Sequence, residues 1–261
     1  MEYKIDLADG QSFTLSFDAE THKYRLPNGD VVPSATQILN IISKPALVYW
    51  AASEGAKYFN ENTIPVDRAL WEKLGGSPLY SFGGMNRDDM MQGIAKAHSK
   101  ASSKAAGIGT TVHGYVEEFI RSCLHIDNDP PAMPENKKAQ KSIDAFYKWL
   151  DANDVNWIST EEKLFHPELK YAGTVDAVAE VEGEFCVIDF KTSNRIYPEH
   201  KIQCAAYAKV VELIYGRKVD CTYVLRFDKN SGKFQVGSSD SIEEDFLAFR
   251  AALVLNKRLK R

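Results

Sequence analysis

The sequence predicts an α/β protein in which a mixed central sheet is flanked by helices, preceded by a mainly helical N-terminal region. Two observations lead there. Beyond residue 150, short apolar runs rich in β-branched residues fall at 155–165, 172–181, 184–191, 218–227 and 232–236, with helical patterns at 198–215 and 241–258. Three strands, a helix and a further strand, with a helix at roughly 137–152 ahead of them, fit a mixed sheet covered by helices. Before residue 126 the patterns are largely helical and supply cover for one side of that sheet.

In chain order, residues 3–7, 11–17 and 22–32 alternate apolar and polar, and "RLPNGDVV" puts Asn28-Gly29 in a hairpin turn. "PSATQIL" offers Ser34 as a helix N-cap, and helical pattern continues through "PALVYWAASEGAKYF". The glycine-bearing stretch 75–90 reads as a loop. Residues 92–105 and 109–125 read as two helices parted near Gly107-Ile108-Gly109. "NDPPAMPEN" (128–136) reads as a linker. The expected division is a hairpin and helical region over 1–108 and a sheet-bearing core over 109–261, together one compact unit.

At 261 residues, with 44% hydrophobic and 26% charged residues, the chain has an ordinary globular balance. A formal charge of -4 gives no global sign of a polyanionic partner, so any such binding must come from local clusters of Lys and Arg. The opening "MEYKIDLADG" is polar and acidic, unlike a signal peptide or an Arg-rich transit segment. No apolar run approaches the roughly 18 residues that span a bilayer. The expectation is a cytoplasmic protein with no membrane partner. Cys123, Cys186, Cys204 and Cys221 are widely spread with no CxxC pair, and are read as free thiols in or near the core.

The stretch "GTVDAVAEVEGEFCVIDFKTS" (173–193) sets Asp176, Asp189 and Lys191 into otherwise apolar strands. An unpaired buried charge is costly, so such residues need partners or a purpose. Residues two apart in a strand share a face, so Val187, Asp189 and Lys191 point one way and Cys186, Ile188 and Phe190 the other. A tight turn at Glu182-Gly183-Glu184 allows Asp176 to stand beside Asp189. Adjacent carboxylates repel unless a proton or cation lies between them, and oxygen ligands suit Mg²⁺ or Mn²⁺. On spacing alone, Asp189 and Lys191 are equally well a plain ion pair at a strand end.

"GTVD", an apolar strand ending "IDFKTS", and "IQCAAYAKV" together resemble the PD-(D/E)xK nuclease superfamily, and more narrowly its RecB-like exonuclease branch. Asp176 matches the first Asp, Asp189-Phe190-Lys191 the (D/E)xK, and Gln203 with Tyr207 the QxxxY of the next helix. Upstream, "GIGTTVHGYVEEF" places His113 and Glu117 as in relatives whose His is a metal ligand. "STEEKLFHPELKYAGTVD" matches the strand contributing a Glu; distance to Gly173 favours Glu161 over Glu162, though register could reverse this. "PSATQIL" looks like an element of phage exonucleases and of mitochondrial genome-maintenance exonucleases. The match covers roughly residues 30–215. Where the superfamily name has Pro-Asp, this chain has Val175-Asp176, as is common in the RecB branch. Some relatives hold an iron–sulfur cluster with grouped cysteines, a grouping absent here, so no cluster is expected.

The resemblance implies a restriction-endonuclease-like fold and a Mg²⁺-dependent deoxyribonuclease, with Mn²⁺ as substitute. It assigns Asp176, Asp189, His113 and the carbonyl of Phe190 to the metal. Lys191, Glu161, Asp176 and Asp189 become the catalytic set, and Gln203 and Tyr207 orient substrate. Lys96, Lys100 and Lys104 recur every four residues in "AKAHSKASSKAAG", one basic stripe that reads either as a DNA phosphate contact or as a solvated face. It makes region 1–108 a candidate DNA-binding cover. The expected partner is DNA with a free end. A structure-specific endonuclease, or an inactive nucleic-acid-binding protein of this fold, are the competing readings.

Overall fold

The computed structural model describes residues 1–42, 45–65, 72–73, 80–81, 85–126 and 129–259. Two compact units make up the chain: residues 1–42 with 108–261, and residues 43–107.

The larger unit is built on a five-stranded mixed sheet in the order β11-β10-β9-β8-β7. Its strands are β7 (Val155–His166), β8 (Tyr171–Val181), β9 (Glu184–Lys191), β10 (Cys221–Phe227) and β11 (Phe234–Ser238). β7, β8 and β9 form an antiparallel meander, β10 lies parallel to β9, and β11 closes the edge antiparallel. The parallel step requires a crossover, and the helix Pro198–Tyr215 supplies it. Gly216, with φ +61, ends that helix in the left-handed cap that glycine adopts without a Cβ penalty.

Apolar side chains cover both faces of the sheet. On one face Val175, Val178, Phe185 and Val187 pack with Ala206, Val210, Phe249 and Leu253. On the other, Ala177, Ala179, Ile188 and Phe190 meet Val112, Val116, Phe146 and Trp149. A second sheet, in the order β1-β2-β3-β4, comprises Glu2–Asp6, Ser12–Asp18, Lys23–Arg25 and Val31–Val32. It buries Ile5, Leu15, Tyr24 and Val32 against Phe165 and Ala172. The turn before Val31 places Gly29 at φ +88, as the Asn-Gly pair predicts.

The helices are α1 (Ala35–Leu39), α2 (Pro45–Asn62), α3 (Arg87–Cys123), α4 (Lys137–Leu150), α5 (Pro198–Tyr215) and α6 (Ile242–Leu259). Ser34 caps α1 in a capping box with Gln37, as read from the sequence. In the smaller unit, α2 accompanies a short ladder of β5 (Ile64–Pro65) and β6 (Tyr80–Ser81), and the ring of Tyr58 lies where a Cβ on Gly93 would be.

Three expectations are corrected. The two helices divided at Gly107–Gly109 are one continuous helix, α3. Each helical glycine costs about 1 kcal/mol, whereas burying each of Ile108, Val112, Val116 and Ile120 returns roughly 1.5–3 kcal/mol. Burial wins. The loop over 75–90 ends early, because Asn86 caps α3 through the Asp89 amide and the helix starts at Arg87. Residues 75–79 and 82–84 of that stretch, and residue 128 of the linker, lie outside the described residues. The four cysteines are not all free: Cys186 and Cys221 are disulfide-bonded, Cys204 is a buried thiol and Cys123 an exposed one. The parallel register sets Cys186 opposite Cys221 with Cα atoms 4.9 Å apart, inside the reach of a disulfide. Among the described residues, no helix is long and apolar enough to cross a membrane.

Candidate active site

At the carboxyl end of β9 the alternation read from the sequence holds. Val187 belongs to one face, Cys186, Ile188 and Phe190 to the other, and Asp189 and Lys191 emerge on the Val187 side. On β8, strict alternation slips by one residue beside Asp176: Val175 and Val178 share a face, while Ala177 and Ala179 occupy the opposite one. Across from Asp176, in a register that sets Thr160 against Ala177 and Glu162 against Val175, stands Glu161 with φ +50. A left-handed non-glycine residue in a strand is uncommon, and such irregularities concentrate where a side chain has been re-aimed. Here the re-aimed side chain is a carboxylate.

Glu161, Asp176, Asp189, Lys191, His113, Gln203 and Tyr207 all line one cleft of about 690 Å³ in the larger unit. Glu117 lines it as well. Asp176 Oδ2 accepts a 2.7 Å hydrogen bond from the amide of Phe190 and lies 3.6 Å from Nδ1 of His113. That amide bond ties the first carboxylate to the strand bearing the second. Glu162 instead accepts hydrogen bonds from Ser159 and Tyr215, at 2.6 and 2.9 Å. Register therefore sends Glu161 into the cleft and leaves Glu162 to bind within the scaffold.

Asp189 is 1% exposed and ion-paired with Lys191. Burial pushes its carboxyl up to about 6; the Lys191 ammonium opposes that shift and the Asp176 charge adds to it. Burial alone would lower the Lys191 ammonium, but Asp189 and Asp176 outweigh it and raise it above the ordinary lysine value. Glu161 is raised by burial first and by Asp176 second. Asp189 Oδ2 is buried, and the ion pair with Lys191 is made by this oxygen. Two carboxylates raised by burial and by the nearby charge of Asp176 are a donor set that gains from added positive charge. A hard divalent cation fits that set.

Tyr207 is buried, accepts a 2.8 Å hydrogen bond from Gln203 Nε2, and packs against the bare backbone of Gly173. Lys96, Lys100 and Lys104 are exposed on the part of α3 that belongs to the smaller unit, with Lys100 6.0 Å from the Tyr58 ring centre.

Sequence reasoning missed two contributions to the cleft. Lys163 has a side chain only 11% exposed, lies 3.5 Å from Glu161 and sits over the rings of Phe17 and Tyr3 at 5.2 and 5.5 Å. Its signal was available, since residues 161 and 163 are two apart in a strand. The other contribution is the wall made by Phe17, His22, Tyr24, Ser34 and Gln37. It is held by a 2.7 Å bond between Tyr24 and Thr174 and by the Ala172 amide donating to the Pro33 carbonyl at 3.0 Å. These contacts join residues more than a hundred positions apart and carry no local signature.

Outside the cleft, Glu184, Cys186 and Cys221 bring potential ligand atoms within 4.8 Å of one another, but the two sulfurs are joined and offer no thiolate.

No protein-family model matches the chain. A stretch of 75 residues is 36% identical to mitochondrial genome maintenance exonuclease 1 of Xenopus tropicalis, covering 26% of this chain and 22% of that protein. The protein of the same name from Mus musculus is 36% identical over 73 residues, covering 25% of this chain and 22% of its own length. The similarity thus spans about a fifth of the length of these relatives. Part of the chain is similar to proteins named as exonucleases.

Proposed function

We propose that the protein is a metal-dependent deoxyribonuclease of the RecB-like PD-(D/E)xK type, hydrolysing phosphodiester bonds from DNA ends in recombination, repair or replication. The observation that carries this reading is the convergence of Asp176, Asp189, Glu161 and Lys191 in one cleft, with Asp189 buried and its Oδ2 ion-paired with Lys191. The partial similarity to proteins named as exonucleases supports it. Asp176, Asp189, His113 and the carbonyl of Phe190 would hold Mg²⁺, or Mn²⁺ in its place. Bound there, the ion supplies polarisation of the scissile phosphate and a more acidic water.

The chain's own groups do the rest. The Lys191 ammonium, kept protonated by Asp189 and Asp176, orients the attacking water and steadies charge developing on the phosphate. Glu161, on the strand beside Asp176, would hold a second ion or an outer-shell water, and Lys163 fixes where Glu161 points. Gln203 and Tyr207, already bonded to each other, orient the substrate backbone. The exposed lysines of α3 contact phosphates.

The test is digestion of end-labelled linear and closed circular DNA, single- and double-stranded, with Mg²⁺ or EDTA. Release from ends that stops in EDTA is expected. Undiminished cleavage in EDTA removes the mechanism; rapid nicking of closed circles replaces the exonuclease with an endonuclease. Binding without cleavage leaves a nucleic-acid-binding protein.

A further inference from the structure

We infer that the chain self-associates through the outward face of α6, with two copies crossing antiparallel at Ala251. The inward face of α6 buries Phe249, Ala252, Leu253 and Asn256. Its outward face is apolar where a solvent-facing helix is normally charged: Leu247, Val254 and Leu255 are 65%, 58% and 55% exposed. Single exposed apolar residues need no explanation, but a contiguous stripe does.

The stripe has a specific pattern. Glu244, Leu247, Ala251, Val254 and Arg258 follow one another at alternating steps of three and four residues, the spacing of a coiled-coil seam, with Ala248 and Leu255 flanking it. The pattern is also symmetric about Ala251. A two-fold axis there sets Leu247 beside the partner's Leu255 and Ala248 beside the partner's Val254. Glu244 then meets the partner's Arg258, twice over. A parallel pairing would instead oppose Glu244 to Glu244 and Arg258 to Arg258, like charges at both ends. Charge therefore selects a second, antiparallel copy over other arrangements. The small Ala248 and Ala251 at the crossing let the two helices approach closely. Along the seam, Leu247, Ala251 and Val254 form with Leu169 an open apolar groove of about 340 Å³, edged by Arg250 and Lys257. One helix pair falls short of the roughly 800 Å² per partner of a standard interface, so the association is concentration-dependent.

Sedimentation of the full chain over a wide concentration range tests this, beside Glu244→Arg, Arg258→Glu and Leu247→Glu. The wild type should move from the 29.3 kDa of one chain towards twice that mass. Each charge reversal, setting two like pairs across the seam, should raise the dissociation constant by about tenfold or more. Leu247→Glu should do the same. An equal mixture of Glu244→Arg and Arg258→Glu chains should regain the dimer, because every cross-pair is then of opposite sign. All substituted positions are exposed, and circular dichroism confirms that each variant is folded. A wild type monomeric at every concentration, a dimer indifferent to the reversals, or a mixture that stays monomeric overturns the inference.

Discussion

The ring of Tyr207 fills the space that a Cβ on Gly173 would need, so β8 and α5 touch where the cleft begins. Tyr207 is 3% exposed and cannot swing away. Gly173→Ala should therefore cost about 1–3 kcal/mol of stability, as overpacking does. Tyr207→Ala in the same chain should relieve that cost, giving strongly non-additive unfolding free energies in a double-mutant cycle. Additive effects would mean the contact is slack.

Asp189 and Lys191 should fail differently when truncated. Asp189→Ala removes a carboxylate from the donor set, so Mn²⁺ affinity by calorimetry should fall together with cleavage. Lys191→Ala leaves the donors in place and removes a repelling charge, so Mn²⁺ should bind at least as well. Single-turnover cleavage should still drop by a factor on the order of 10²–10³. A Lys191→Ala chain that cleaves at the wild-type rate reduces the residue to an ion-pair partner.

Burial gives Asp189 a measurable pH signature without metal. Its carboxyl is raised from the ordinary value to about 6, so the folded state holds this proton more tightly than the unfolded chain does. The resulting stability is complete below about pH 4 and is lost as pH rises through about 6. Asn at 189 carries no such proton. In EDTA, wild-type stability relative to Asp189→Asn should therefore decline between those pH values, read by denaturant unfolding. A flat difference would mean that Asp189 titrates as an ordinary carboxyl. Over the same interval Mn²⁺ affinity should rise, because cation and proton compete for one site.

The lysine stripe makes a quantitative claim on salt dependence. If Lys96, Lys100 and Lys104 contact phosphates, replacing all three with Ala should flatten the log–log slope of DNA affinity against salt. Each lost contact should contribute roughly 0.7–0.9 to that change. An unchanged slope assigns the stripe to solvent.

What was legible in the sequence, and what was not, divides along the range of the interaction. The strand boundaries of β7, β8 and β9 follow from local apolar runs, and the Ser34 cap from a four-residue pattern. Both are short-range. Asp189 and Lys191 share a face because the period of a strand is two, which needs no tertiary knowledge. The continuity of α3 across Gly107 and Gly109 was hidden because glycine propensity is local, while the burial that overrides it is tertiary. Distance to Gly173 favoured Glu161 over Glu162, but the register that sends Glu161 into the cleft was not legible. Simple alternation cannot anticipate the slip at Asp176 or the left-handed backbone opposite it. Cys186 and Cys221 meet only because β10 returns parallel to β9, 35 residues later.

That bridge has a topological consequence. The chain from Cys186 to Cys221 is a closed covalent ring, and Asp189, Lys191, Gln203 and Tyr207 all lie on it. A protease that nicks the segment between β9 and α5, or the turn after α5, would cut the backbone without releasing a fragment. The two ends would stay tethered through sulfur until a thiol reductant was added. A nicked chain would thus run as one species without reductant and as two with it, and the severed halves of the cleft would keep their means of reassembly.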